Sequence, residues 1–319
     1  MNPMETDYPN VLNNLEATIN RCILGKKNEV KLIITALLAD GHVLIEGVPG
    51  IGKTMLIKAL VKTIQSEFRR VQCNPDLLPT DITGFSIYHP KNEQFIYNPG
   101  PVMTNFLLVD EINRASTKTQ SALLEAMEEK QVTVDGKIHP LPRPFFVMAT
   151  QNPIEFEGTY LLPEAQLDRF MMKFNLHYPA KQTEKELILS QTIKNPLEDI
   201  TEITDMTYIQ KIQEFVQTIY IAESVVDYIL EIVERTRNHP SIFLGVSPRG
   251  TLAFLRAVKA LAFLNKRHFV TPDDVKFLIP YVFHHRIILS PDAQMSDVQV
   301  ESLMQSIVNG VNVPVRVEN

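Results

Sequence analysis

"HVLIEGVPGIGKTML", His42 to Leu56, is the stretch that decides how the rest of this chain is read. It passes from a short apolar run of strand length, through glycine and proline, into Lys53-Thr54 and a segment with helical apolar spacing. Gly47, Val48, Pro49, Gly50, Ile51, Gly52, Lys53 and Thr54 satisfy the pattern G-x-x-x-x-G-K-[ST], and the flanks are the ones that give the pattern meaning: a strand before it and a helix after it. Leu56, Ile57, Leu60, Val61 and Ile64 form one stripe, which anchors that helix on a sheet and aims its N-terminus at a ligand. The glycines let backbone N–H groups converge on phosphate oxygens, and the helix dipole favours the negative charge placed there. The arrangement implies a nucleoside triphosphate, with Lys53 on its β- and γ-phosphates and Thr54 as a ligand of Mg2+.

Working outward, "FLLVDEINRA" is a buried-strand run, Phe106 to Val109, ending abruptly in Asp110-Glu111. In an open parallel sheet the carboxyl ends of the strands are where ligands sit. Asp110 is expected to hold magnesium through water, and Glu111, pointing elsewhere, to orient or deprotonate an attacking water. The pair favours hydrolysis over transfer to a small acceptor. "FFVMATQNP" is a third such strand, Phe145 to Ala149, which places Asn152 level with Asp110 as a sensor of water or terminal phosphate; an Asn-Pro turn explains the same residue equally well.

Two arginines complete the candidate set. Ser247 reads as an N-cap and Pro248 as the first helical residue, so Arg249 falls in the first turn, where a cation opposes the dipole by about 0.3 to 1 kcal/mol. An anionic ligand would offset that cost, so Arg249 is expected to reach from the helical tail to the bound nucleotide. Arg169, in "LLPEAQLDRFM", ends a short segment opening at Pro163 and Glu164, and its chemistry alone leaves its role open.

The alternation of strand and helix runs to about residue 176, with further strands at His42 to Glu46, Arg70 to Gln72 and Met171 to Asn175. That pattern predicts an α/β core with a mainly parallel five-stranded sheet covered by helices on both faces. Beyond it helices dominate. Thr183 with Glu186, and Ser224 with Asp227, have N-terminal spacings. Ile209, Ile212, Val216 and Ile219 keep one face, and Thr271-Pro272-Asp273-Asp274 reads as a cap. The expected division is residues 1–178 as the nucleotide-binding core and 182–319 as an all-α lid domain.

The 319 residues carry 45% hydrophobic and 21% charged side chains, a composition that folds and buries a real core. Formal charge is 31 basic minus 37 acidic, or −6, which disfavours bulk nucleic-acid binding. Cys22 and Cys73 have no metal-ligand spacing and suit a reducing compartment. No apolar run is long enough to span a membrane and the N-terminus has no export pattern, so a cytoplasmic location is expected.

GVPGIGKT, LLVDEINRAS, ATQNPIEFEGTYLLPEAQLDRF and GVSPRG, in this order, together resemble the MoxR family of AAA+ ATPases over nearly the whole chain; "HHRI", His284 to Ile287, is similar to that family's closing signature. The resemblance implies a P-loop NTPase (AAA+) core with Lys53 and Thr54 in Walker A, Asp110 and Glu111 in Walker B, Asn152 at sensor 1, Arg169 at the arginine finger and Arg249 at sensor 2. It implies an arginine finger that acts across a subunit boundary, hence a homo-oligomeric ring, commonly a hexamer, hydrolysing ATP with Mg2+. Adenine would lie near Ile23 to Gly25. An insert in the second helix fits the long, irregular stretch from Asn74 to Tyr97, and a hairpin before sensor 1 fits "KQVTVDGKIHPL" with its Asp135-Gly136 turn. The family works as chaperones or metal-insertion factors on client proteins, in part with adaptors carrying von Willebrand factor A domains. Two other classes remain: a nucleic-acid-dependent motor, disfavoured by charge, and a nucleotide-dependent scaffold with little turnover.

Overall fold

In a computed structural model of the chain, the structure describes residues 7–48, 50–91, 93–152, 160, 162–191 and 196–314, with backbone alone for 187–191. Pro49, Asn92, Leu161, Ile193 and residues 153–159 of the sequence motifs lie outside the described residues.

Helices α1 (Tyr8–Cys22) and α2 (Lys27–Leu38) lead into β1 (Val43–Glu46) and, past the glycine loop, α3 (Lys53–Thr63). β2 (Phe68–Gln72) is followed by a short α4 (Pro79–Thr83) and a hairpin of β3 (Gly84–His89) and β4 (Gln94–Pro99). Then come β5 (Phe106–Asp110), α5 (Thr117–Glu129), a second hairpin of β6 (Gln131–Val134) and β7 (Lys137–Pro140), β8 (Phe146–Gln151), α6 (Glu164–Leu167) and β9 (Met172–Asn175). The tail carries α7 (Lys181–Gln191), α8 (Met206–Gln217), α9 (Glu223–Asn238), α10 (Pro248–Leu264), α11 (Pro272–Val282), α12 (Pro291–Met295) and α13 (Val300–Asn309). A small ribbon of β10 (Ile242–Leu244) and β11 (Ile288–Leu289), absent from the helical expectation, is set among them.

The main sheet is the expected parallel one, in the order β2-β5-β8-β1-β9. Period-two alternation decides which side chain faces which helix layer. Val43, Ile45, Phe106, Leu108, Phe146 and Met148 pack toward α1, α2 and α3, while Leu44, Leu107, Val109, Val147 and Ala149 pack toward α5. The first of these interiors continues into the tail, through Ile209, Ile212, Phe254 and Leu261, so core and tail share one apolar body. Gln213 Nε2 donates to Leu37 O at 2.7 Å across the junction.

His42 sets the height of α5 against the sheet. Its ring is buried, Nδ1 accepts the Val147 N–H at 3.1 Å, and Nε2 donates to Met127 O at 3.2 Å. Because His42 precedes β1, the C-terminal turn of α5 lies at the amino edge of the sheet, opposite the glycine loop. Burial holds this imidazole neutral, its pKa lowered to about 4.

Several local expectations shift. The stretch from Asn74 to Tyr97 holds regular structure on both sides of Asn92, which lies outside the described residues: Ile87 pairs with Ile96 and Tyr88 with Phe95 across the β3–β4 hairpin. Apolar residues occupy both of its faces, and this hid the alternation in the sequence. α7 opens at Lys181 and α9 at Glu223, so Thr183 and Ser224 fall inside the first turns rather than ahead of them. The Asp135-Gly136 turn forms as expected, with φ of 50° and 74°, the two positive values of a tight hairpin turn. Ser247 caps α10 by accepting the Gly250 N–H at 3.0 Å, and Asp274 accepts the Thr271 N–H at 2.9 Å at the head of α11.

Candidate nucleotide site

A crevice of about 360 Å³ opens at the carboxyl edge of the sheet, lined by Gly50, Gly52, Lys53, Thr54, Asp110, Glu111, Thr150 and Asn152 together with Met55, Arg70 and Gln72. β1 delivers the glycine loop and β5 delivers the acids; β8 lies between them and contributes Thr150. Gly52 stands at the head of α3 with φ 93° and Gly50 has φ 84°. A Cβ at either would meet nothing within 4 Å, so the left-handed backbone, not space, calls for glycine here. The loop leaves the first N–H groups of an 11-residue helix facing the crevice. Lys53 Nζ donates to Gly47 O at 2.7 Å. Burial lowers its pKa, while the Asp110 and Glu111 carboxylates pull it back up.

The two acids are held differently. Asp110 Oδ2 accepts from Arg70 Nε at 2.7 Å and Oδ1 from Thr150 Oγ1 at 3.2 Å. Glu111 adopts a left-handed backbone, φ 57° and ψ 52°, costly for a residue with a Cβ and kept here because Thr150 Oγ1 accepts its N–H at 2.9 Å. That turn swings the Glu111 side chain away from Asp110. Its Oε2 accepts from Gln72 Nε2 at 2.9 Å and from Arg114 Nη1 at 3.1 Å. Asn152 is not level with Asp110. The β5–β8 register pairs Val109 with Ala149, which puts Thr150 beside Asp110 and Asn152 two residues further along, still on the crevice wall. The donor set of a hydroxyl, a carboxylate and a second nearby carboxylate is hard oxygen, which fits a magnesium ion sharing its remaining positions with phosphate and water. Cys73, next to this edge, has its thiol pushed up to about 12 by burial and the two acids, so it is no nucleophile.

Arg169 and Arg249 line no part of this crevice. They meet instead on one carboxylate in the last turn of α5: Arg169 Nε lies 3.0 Å from Glu128 Oε2, and Arg249 Nη1 lies 2.7 Å from Glu128 Oε1. With Met127 bonded to His42, this is the amino edge of the sheet. The reach of Arg249 to its own chain's nucleotide is therefore not what the structure places. The anion that offsets the unfavourable first-turn position of Arg249 is Glu128, itself unfavourable at a helix C-terminus. Each end answers the other.

Arg70, Gln72, Arg114, Thr150 and Glu128 were not singled out from the sequence. Glu128 carried a signal, an acid in the last turn of a helix; Arg70 and Gln72 on a half-exposed edge strand carried none. Ile23 is buried and Gly25 has φ 76°, packed against Thr183, while Lys26 Nζ donates to His177 O beside the chain's exit from the sheet. A larger cavity of about 680 Å³ between core and tail contains none of the glycine loop.

A family model described as "ATPase family associated with various cellular activities (AAA)" matches residues 42–172, and one described as "AAA lid domain" matches residues 234–307. Over 305 residues the chain is 40% identical to a protein of Mycobacterium tuberculosis named Chaperone MoxR1, covering 93% of this chain and 80% of that one. This chain belongs to the MoxR family of AAA+ ATPases. A protein of Bacillus subtilis, named YeaC, is 50% identical over 298 residues, covering 93% of each chain. A solved structure from Cytophaga hutchinsonii superposes with a TM-score of 0.91 at 37% identity, covering 98% of this chain and 97% of its own. The MoxR fold, a P-loop core with a helical lid, is thus the one described above.

Proposed function

We propose that this MoxR protein is an ATP-hydrolysing remodelling ATPase of the chaperone kind, in which each active site is completed by a second copy of the chain. One observation carries the reading. Lys53, Asp110 and Glu111 share a crevice at one edge of the sheet, whereas Arg169 and Arg249 stand together at the other. A chain so built has half a site on each side. A heterologous contact joins the halves and closes into a ring, most simply a hexamer.

In this scheme the glycine loop and the N-terminus of α3 bind the phosphates of ATP, and Lys53 exchanges its bond to Gly47 O for phosphate oxygen. Thr54 and Asp110 would hold Mg2+, which neutralises phosphate charge when bound. Glu111 leaves Gln72 and Arg114 to take the proton of the attacking water. Asn152 and Thr150 fix the water and the acid. Arg169 and Arg249 of a neighbour stabilise the charge on the transferred phosphoryl group. Their bridges to Glu128 are partly exposed, of the class worth about 0 to 1 kcal/mol, so a triphosphate outcompetes them.

The work is done on protein. The two hairpins are joined by the Tyr97 and His139 rings, stacked at 4.0 Å, and expose Phe85, Ile87, Tyr88, Phe95, Ile96 and Ile138. Such a surface suits an apolar polypeptide better than a phosphate backbone. Residues 1–178 then act as the motor and 182–319 as its lid, in the cytoplasm, on client proteins that include partners with von Willebrand factor A domains. The test is ATP turnover and client capture by Lys53→Ala, Glu111→Gln and Arg169→Ala. Turnover unchanged in Arg169→Ala rejects completion by a neighbour, and stimulation by single-stranded DNA rather than by unfolded protein assigns the motor to nucleic acid.

A further inference from the structure

Arg286 is the most completely engaged cation among the described residues, and the crevice chemistry does not use it. It lies in the lid, in the turn after α11, and its side chain is 2% exposed. Nε donates to Asp168 Oδ1 at 2.6 Å; Nη2 donates to Asp168 O at 3.1 Å and to Phe170 O at 2.8 Å; Nη1 reaches Met171 O at 3.2 Å, His285 Nε2 at 2.8 Å and Val282 O. Every N–H of the guanidinium is spent, and four of the six acceptors belong to residues 168–171. Arg169 sits inside that span.

The same side chain touches the other arginine's helix. A Cβ on Gly250 would stand 2.8 Å from Arg286 Cδ, so the first turn of α10, which bears Arg249, rests on the Arg286 stem. Ser247, the cap of α10, donates its hydroxyl to Asp168 Oδ2 at 3.2 Å and closes the triangle. Taking a guanidinium out of water is expensive unless its partners are held in place. Here they are six atoms on two segments, Asp168–Met171 and Val282–His285, so the guanidinium ties the lid turn to the segment that carries Arg169.

We infer that Arg286 is a positioning residue for the arginine pair: by tying Asp168–Met171 to the head of α10, it makes the lid of one subunit set where Arg169 and Arg249 meet the neighbour's ATP. This rests on the reading that the arginines act across a subunit boundary. It goes beyond that reading by giving the buried lid arginine a task in the adjacent site rather than in its own.

The experiment uses full-length Arg286→Lys and Asp168→Asn, the second keeping a hydrogen-bonding oxygen while losing the ion pair. Each is measured for folding by thermal melting, for binding of a fluorescent ATP analogue, for turnover, and for turnover in equimolar mixtures with Glu111→Gln or with Arg169→Ala. The expected result is analogue affinity within twofold of wild type and turnover reduced at least tenfold through kcat. Glu111→Gln subunits, which still present good arginines, restore turnover several-fold; Arg169→Ala subunits do not. Wild-type turnover in both variants overturns the inference, as does failure of Glu111→Gln to restore it, or loss of the fold in both. Wild-type turnover in Arg169→Ala alone strikes the underlying reading instead, and is seen separately.

Discussion

Lys53, Glu111 and His42 show how much one side chain decides here. Removing the Lys53 ammonium deletes charge-assisted hydrogen bonds of about 1.5–3 kcal/mol each, so Lys53→Ala is expected to weaken ATP binding by roughly ten- to a hundredfold in titration calorimetry. Glu111→Gln keeps the Gln72 and Arg114 contacts open to its remaining oxygen but loses the carboxylate proposed as the base. ATP affinity should persist while single-turnover hydrolysis falls about 10²- to 10⁴-fold. His42 gives a pH dependence with a definite sign. Its folded pKa, about 4, is below the ordinary value near 6.5, so the unfolded chain binds the extra proton. The stability it confers is complete above about pH 6.5 and is lost as pH falls toward 4, on the order of 3 kcal/mol. His285, also neutral through burial beside Arg286, acts in the same direction. Denaturant midpoints measured from pH 7 to pH 5 should fall, and His42→Gln should flatten part of that slope; an unchanged slope contradicts the buried neutral ring.

At the scale of elements, two helices with wrongly charged ends have found each other. α10 starts with a cation and α5 ends with an anion, and the Arg249–Glu128 bridge turns two unfavourable dipole positions into one contact. The sequence showed the Arg249 half of this and pointed to a bound nucleotide as the anion; within this chain the anion beside it is Glu128, because an unfavourable cation signals that an anion is near without saying which. Ser247→Ala removes both the α10 cap and the bond to Asp168, so a loss of about 1 kcal/mol in chemical denaturation is expected, with ATP turnover falling by more than that loss explains. The β3–β4 hairpin makes a cleaner test of client contact. Phe95 is 68% exposed and Ile96 45% exposed, so replacing both by serine should move the melting midpoint little, within roughly 0.5 kcal/mol per site. Stimulation of turnover by an unfolded protein should be lost; retained stimulation removes the hairpin from the client surface.

At the scale of the molecule, the proposed division of the site between opposite edges of one sheet would make activity depend on assembly. Turnover per chain should rise with protein concentration in step with ring formation in analytical ultracentrifugation. Arg169→Ala should remain slow, by about 10³-fold or more, at every concentration. A rate per chain that is flat through dissociation would mean that one chain suffices. The sequence by itself determined the parallel sheet, the glycine loop, the acid pair and the caps of α10 and α11. Those depend on residues within a few positions of one another, where period, dihedral preference and hydrogen-bond geometry are local. Only the tertiary structure decided that Thr150 rather than Asn152 stands beside Asp110, that Arg169 and Arg249 share Glu128 away from the crevice, and that Arg286 grips the segment that carries Arg169. Strand register and the docking of lid on core are set by the filling of a common apolar interior, a property of many distant residues at once that no short stretch contains.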